Sequence, residues 1–399
     1  MIEILHPTTD SARIAELLDS GFRYVDAWAG SLAELVVLDQ FHLAADTPEA
    51  RVERANHIAA LRFDELAARY VVFPWRRTVV KMPDTEQFWR LRTARNRYLV
   101  DIGEQRTWSE ALIGIAGLSV GAAALSVCSL TGARRFRLAE RDTLSATNLN
   151  RLAASVCDLG EPKLLLAQRR TLEIDPYTRI DAFPDGYAPE VADAFLGGHG
   201  TDRLAVLLEE MDDLPMKFDI RRRAKAARIP VVMVTDNGDN VLVDIERYDL
   251  DPAYPILHGR AEFAARWSLA ELGDPARRLR LVDAIVGSRI TPRMRYSLTQ
   301  VGRTLPTWPQ LGTAAAVAGA VGAMVARLIA CGSGIHSGRY RVDLDELLLG
   351  AAAGETARWN TLGEAEFRAA MHPGEGSSPA TPMVSRAPAH RRGRCAGTS

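Results

Sequence analysis

The chain has 399 residues, with 49 basic against 50 acidic side chains and a formal net charge of -1, so no overall basic field draws it to nucleic acid or to an anionic membrane. Apolar residues make up 47% and charged residues 25%, the balance of a globular chain with enough material for a large core. Four cysteines, Cys128, Cys157, Cys331 and Cys395, are scattered without a close pair, which argues against a disulfide framework and against the CxxC pairs of a structural zinc site.

The opening MIEILHPTTDSARIAELL lacks a basic segment followed by an apolar core, so a cytoplasmic location is expected. Residues 1–92 read as an α+β region of unassigned role. SARIAELLDSG is a short helix ending at Gly21, residues 53–70 form an amphipathic helix offering Ile58, Leu61, Phe63, Leu66 and Ala67, and TVVKMP from Thr78 is a strand closed by Pro83. Trp75, Arg76 and Arg77 lie between them and read as a contact to the rest of the chain, with the indole packed and the arginines solvated.

Beyond residue 93, strands and helices alternate. ALIGIAG from Ala111 runs into a small-residue helix ending near Leu130, ARRFRLAE closes at Glu140, and Lys163 to Glu173 is a helix. TRIDAF, LAVLLEE from Leu204 and IPVVMVT from Ile229 are further strands, with a helix over 215–228 between the last two. This order predicts an α/β fold built on a doubly wound, mostly parallel, Rossmann-like sheet. From 249 to 310 the pattern is mixed, with helices expected near 260–271 and 279–286. The stretch 311–330, rich in Ala and Gly and carrying Arg327, is read as a buried helix and not a membrane span. RYRVDLDELL from Arg339 gives a late strand and turn, and residues 370–399, rich in Pro, Gly, Ser and Arg, read as a flexible tail. Cys128 and Cys157 are taken as helix-packing positions and Cys331 as a buried small residue.

Gly114-Ile115-Ala116-Gly117-Leu118-Ser119-Val120-Gly121 follows the first strand of this region. A strand running into glycines and then a helix brings backbone N–H groups against phosphate oxygens. Ala116 breaks the G-x-G-x-x-G spacing, so tight helix–sheet packing explains the glycines equally well. The next strand ends at Glu140, 26 residues after Gly114, where an acid can accept from ribose hydroxyls, and Asp142 follows. These features alone leave ATP and a dinucleotide such as NAD(P) or FAD open.

LAERDTLSATNLNR over 138–151 and GEPK over 160–163, in this order after the glycine turn, resemble the ThiF/MoeB/ubiquitin-activating superfamily. LLEEMDDLPMKFDIRRRA resembles that family's strand ending in a magnesium-associated Asp. The resemblance covers roughly residues 93–335, and it implies ATP-dependent adenylation of a carboxylate, with ATP and Mg²⁺ as cofactors and the C-terminus of a small carrier protein or peptide as acceptor. It implies that Gly114, Gly117 and Gly121 form the phosphate turn, Glu140 with Asp142 the ribose-binding acids, and Asn148, Arg151 and Lys163 the phosphate contacts. Asp212 would hold magnesium, with Asp213 as the neighbour able to exchange with it.

RTARNR over 92–97 resembles the arginine-bearing element that reaches into a partner's site in family homodimers, which puts Arg97 first and Arg95 second. PTWPQLG stands where the family carries a crossover segment near the adenylated tail. PWRRTVV followed by RTARNR is similar to a bacterial group of ThiF-domain proteins, some of which continue into a nitroreductase-like domain.

The chain departs from the family in lacking zinc CxxC pairs and any cysteine between Asp212 and Cys331. Adenylation is therefore expected, and whether a thioester or persulfide step follows it stays open. The competing expectations are a dinucleotide-binding oxidoreductase and a non-catalytic scaffold that retains the fold.

Overall fold

The computed structural model describes residues 2–62, 67–197, 202–287, 289–350 and 360–371. The expected tail beyond residue 371, with Cys395, lies outside the described residues, as do Phe63 and Leu66. The N-terminal sheet contains β1 (Glu3–Leu5), β2 (Arg23–Asp26), β3 (Ala68–Phe73) and β4 (Thr78–Pro83) in the order β1-β3-β4-β2. The helix expected over 53–70 is Pro48–Arg62, and residues 68–70 belong to β3. ARYVVF is β-branched and aromatic, and it pairs with both β1 and β4, burying Val71 and Val72 completely. Tertiary pairing outweighs the helical spacing there.

A second sheet contains β5 (Leu112–Ala116), β6 (Arg135–Ala139), β7 (Arg179–Phe183), β8 (Val206–Glu209), β9 (Val231–Asn237), β10 (Asn240–Glu246) and β11 (Gly338–Val342). Their order is β11-β10-β9-β8-β5-β6-β7, with β7, β6, β5, β8 and β9 parallel and the last two antiparallel. The fold is thus mixed α/β and Rossmann-like. The chain moves outward from β5 through β6 and β7, then returns to the other side of β5 at β8. That reversal opens a crevice at the carboxyl ends of β5 and β8. The hairpin from β9 to β10 was not anticipated. Its turn is Gly238 and Asp239, where Gly238 takes φ +78°, within a DNGDN run of the kind that closes tight hairpins.

Helices Val120–Leu130 and Gly312–Ala330 share one face of this sheet. Gly312–Ala330 is long and apolar enough to cross a membrane by length and composition, yet half of its apolar window is buried in the protein. Its small residues let backbones approach: a Cβ on Gly319 would lie 2.7 Å from the backbone carbonyl carbon of Ala123. Gly319→Val is therefore expected to overpack the pair and to lower stability by about 1–3 kcal/mol, read as a lower Tm in a thermal melt. An unchanged Tm would mean that the helices can separate freely.

The two sheets meet through Glu173. Arg76 donates to it twice at 2.8 Å and Trp75 Nε1 donates to the same carboxylate. Trp75 thus makes the contact expected of it, but Arg76 is paired and not merely solvated. Asp175, fully buried, takes Arg92 at 2.8 Å and Arg134 at 2.6 Å, tying helix Thr85–Thr93 to the core. The helix expected near 260–271 is broken into short turns and Leu269–Leu272, because Leu257 and His258 adopt left-handed φ of 50° and 57° and a Ser268–Glu271 capping box starts a new helix. The second expected helix is Pro275–Val286. Cys128 is buried, whereas Cys157 is exposed and Cys331 half-buried. Helix packing accounts only for Cys128.

Candidate active site

A cleft of about 390 Å³ opens over the crevice between the ends of β5 and β8. Gly117, Glu140, Asp142, Asn148, Arg151, Lys163, Asp212 and Asp213 all line it. Eight of the residues singled out in the sequence therefore face one volume, although they are spread over 97 positions of chain.

Its floor is the turn from β5 into helix Val120–Leu130. Gly117 takes φ +91°, and a Cβ there would lie 2.5 Å from the carbonyl oxygen of Glu210. Only glycine permits both the conformation and this approach. Gly121 serves packing, since a Cβ would meet Ile115 Cγ2 at 2.8 Å. Gly114 is a correction: it lies inside β5, where a Cβ would strike Leu204, and it does not line the cleft. Close strand packing, not phosphate approach, explains that glycine.

Glu140 closes the turn from above. Its Oε2 accepts from the N–H of Leu118 at 2.7 Å, and its Oε1 accepts from the N–H groups of Arg141 and Asp142 at 2.9 Å each. The acid expected to bind ribose thus first braces the glycine turn against the end of β6, with lone pairs left over for a hydroxyl donor. Asn148 accepts from Ser145 N at 3.0 Å and Ser145 Oγ at 3.1 Å, fixing the short turn that carries Arg151.

Arg151 is held on three sides. Its Nε donates to Ser119 Oγ at 2.9 Å, and its Nη1 donates to Thr147 O at 3.1 Å and Asn150 Oδ1 at 3.0 Å. Ser119 precedes the helix at its cap position but makes no side-chain cap bond. Its hydroxyl receives Arg151 instead. Burial lowers the guanidinium pKa, while Asp212 and Asp236 raise it. Lys163, at the first position of its helix and 8% exposed, pairs with Asp142 at 3.0 Å.

Past β8, the two neighbouring acids separate in role. Asp213 caps helix Leu214–Ala226 by accepting from Met216 N at 3.2 Å. Asp212 makes no hydrogen bond or ion pair among the described residues and faces the cleft, which Asp213 also lines. Its hard oxygens at the open end of a cleft suit a divalent cation bound together with phosphate, although no cluster of three or more potential ligands occurs among the described residues. Thr307, Trp308 and Gln310 of the PTWPQLG segment form part of the cleft wall, and Asn150 Nδ2 holds the Gln310 carbonyl at 2.8 Å.

Arg97 and Arg95 do not reach this cleft in their own chain. Both are exposed, beside Tyr98 and Leu99, which are 100% and 86% exposed. Two acids were missed. Glu210 lines the cleft and accepts from Val234 N at 2.9 Å, and burial holds its carboxyl well above the usual carboxylate range. Asp236, near the end of β9, is 2% exposed and lies against the Gln310 side chain. Burial pushes its pKa up to about 7, helped by Asp212 and opposed by the Gln310 side chain and Arg151. The signal for Asp236 was its register, on the same strand face as the core residues Val232 and Val234.

The ThiF family model matches residues 93–240, the segment that supplies most of this cleft. This part of the chain is therefore similar to the ThiF family. Over 285 residues the chain is 36% identical to the uncharacterized protein MT1398 of Mycobacterium tuberculosis, covering 71% of this chain and 39% of that protein. It is 24% identical over 131 residues to the sulfur carrier protein adenylyltransferase of Thermus thermophilus, covering 33% and 46% of the two chains. It is 26% identical over 149 residues to the tRNA threonylcarbamoyladenosine dehydratase of Bacillus subtilis, covering 36% and 56%. The chain thus spans 39% to 56% of the lengths of these curated relatives. Outside the ThiF segment, Thr307, Trp308 and Gln310 complete the cleft.

Proposed function

We propose that this ThiF segment uses Mg-ATP to adenylate a carboxylate, with the C-terminus of a small carrier protein or peptide as the preferred acceptor. The single observation that carries the reading is the convergence of Arg151 and Lys163 with the partnerless Asp212 over the Gly117 turn. A dinucleotide has no need of this cation–acid pairing. The name of the Thermus thermophilus relative supports the reaction and the acceptor class. The name of the Bacillus subtilis relative points to a different substrate for a similar segment, so the acceptor is the part to be found by experiment. We also place the chain with the bacterial ThiF-domain group that its PWRRTVV and RTARNR segments resemble.

Attack of a carboxylate on the α-phosphorus brings like charges together. Arg151 and Lys163 oppose that charge from fixed positions, and the helix Val120–Leu130 points its N-terminus at the same volume. Gly117 lets the phosphates lie against backbone N–H groups. Mg²⁺ on Asp212, when bound, supplies charge neutralisation of the pyrophosphate leaving group. The protein needs no nucleophile, because the acceptor carboxylate attacks and pyrophosphate departs. Thr307, Trp308 and Gln310 would flank the incoming tail. Arg97, exposed beside Tyr98 and Leu99, is assigned to a second copy's site in a homodimer, and a cytoplasmic location fits this chemistry.

Labelled pyrophosphate exchange into ATP tests this reading, with a library of short peptides bearing free C-termini as acceptors. Acceptor-dependent exchange is the expected result, and exchange with no member of the library while NADH binds would reverse the reading towards a dinucleotide enzyme. In the same assay Lys163→Ala is expected to lose about tenfold or more. Its ammonium is one positioned charge, and the change also leaves Asp142 without its partner beside the triphosphate. Exchange at the wild-type rate would remove Lys163 from the site.

A further inference from the structure

Beside the cleft runs a second, larger groove of about 1110 Å³. Helix Lys163–Ile174 lies along it from end to end. Its first residue, Lys163, lines the cleft as well as the groove, and so does Arg151. In its last turn Glu173 holds Trp75 and Arg76, which line the groove between β3 and β4. The groove thus connects the N-terminal sheet to the place where the proposed reaction occurs.

Its chemistry is apolar below and basic along one side. Leu125, Leu144, Leu152 and Leu166 form the bed, and five basic side chains line it against two acidic ones, Asp158 and Glu173. Three of the cations are committed elsewhere: Arg76 to Glu173, Lys163 to Asp142, and Arg151 to Ser119, Thr147 and Asn150. Arg169 and Arg170 remain, and neither has an ion-pair partner among the described residues. Arg169 lies over the Trp75 ring at 5.7 Å with its Nε buried and without a hydrogen-bond partner. It acts on the charge of Glu173 from a distance, but that carboxylate is taken by Arg76 and Trp75. Arg170 is exposed and donates only to the Ala153 carbonyl. Guanidinium groups with donors to spare beside an apolar bed suit a carboxylate carried on an apolar chain.

The spacing adds a length. Lys163 and Arg170 stand seven positions apart on one helix, about 10 Å along its axis. An extended chain covers that span in about three residues. We propose, resting on the adenylation reading, that the groove holds the acceptor as an extended peptide tail. Its last few residues are apolar, and an Asp or Glu about three to five positions before the terminal carboxylate pairs with Arg169 and Arg170. These two arginines select the acceptor and do not meet the reacting carboxylate.

The test uses the full chain and synthetic apolar peptides with an N-terminal fluorophore, a free C-terminus and one Glu moved along them. Binding is followed by anisotropy without nucleotide. Occupancy of this groove is followed by alkylation of Cys157, which is exposed and lines it, with half-buried Cys331 as the reference. A Glu at the expected position should bind about tenfold more tightly than Ala there and should slow alkylation of Cys157 but not of Cys331. Arg170→Glu should abolish that preference, and a Lys in place of the peptide's Glu should restore binding to this variant. Equal affinity for the Glu and Ala peptides, or an unprotected Cys157, would overturn the proposal. So would an Arg170→Glu variant that turns a dimer into monomers with peptide affinity unchanged, since the groove would then belong to a second copy. Binding as expected without acceptor-dependent pyrophosphate exchange would uphold the groove and sink the adenylation reading. Exchange that ignores the position of the Glu would do the reverse.

Discussion

Arg151→Ala is expected to reduce acceptor-dependent ATP–pyrophosphate exchange by about 10²- to 10³-fold, equivalent to roughly 2.7–4 kcal/mol of barrier stabilisation. The size follows from how the side chain is held. Three hydrogen bonds, to Ser119, Thr147 and Asn150, fix the guanidinium before any ligand arrives, so no reorganisation is required when charge develops on the phosphates. It is half-buried, and Asp212 and Asp236 support its charge against the desolvation that opposes it. Lysine cannot reproduce this arrangement, since it lacks the planar fork and the Nε that Ser119 receives. Arg151→Lys should therefore recover only a small part of the loss. Exchange within threefold of wild type in the alanine variant, with an unchanged Tm, would show that Arg151 serves the loop and not the reaction.

The second large effect is expected at Gly117. Gly117→Val places a β-branched residue at φ +91° and drives its Cβ to 2.5 Å from the Glu210 carbonyl oxygen and 2.9 Å from Met211 N. These are backbone atoms of the segment joining β8 to Asp212, so no side-chain rotation relieves the clash. The turn must move away from the β8 end, carrying with it the Leu118 N–H that Glu140 accepts. Binding of nucleotide should fall below detection and Tm should drop, because strain at a left-handed position adds about 1–3 kcal/mol to the overpacking. Gly117→Ala tests the same point with less bulk and should lie between wild type and valine. Normal nucleotide affinity in the valine variant would place the ligand elsewhere.

Much of this cleft was legible in the sequence because its residues sit at fixed offsets from strand ends. Glu140 follows β6, Asp212 follows β8, and Gly117 follows β5, so a correct reading of the strands carries the residues to one sheet edge. Asn148, Arg151 and Lys163 followed from motif order, and their side chains do face the same volume. What periodicity could not separate was packing from approach to a ligand. Gly114 looks like part of the turn, yet it is a strand residue pressed against Leu204. Glu140 and Asp213 have the right chemistry for ligand contact, and both also accept backbone N–H groups, a structural role their spacing does not reveal.

Asp236 was hidden by its context. TDNGDN has the composition of a solvated turn, so an acid there draws no notice, and the hairpin it forms was not foreseen. Only the pairing of β9 with β10 shows that Asp236 falls on the buried face and Asp239 in the turn. The N-terminal sheet shows the same limit. Helical spacing through residue 70 was real, but pairing of Ala68–Phe73 with two neighbouring strands decides its conformation. The broken segment after Asp251 depends on left-handed residues, Leu257 and His258, that no propensity favours.

Equilibrium titration of the full chain with Mg-ATP and, separately, with NADH bears most directly on what the cleft is for. Saturable binding of Mg-ATP that NADH does not displace, and that disappears in Gly117→Val, is the predicted result. Tighter binding of NADH than of Mg-ATP would contradict the account.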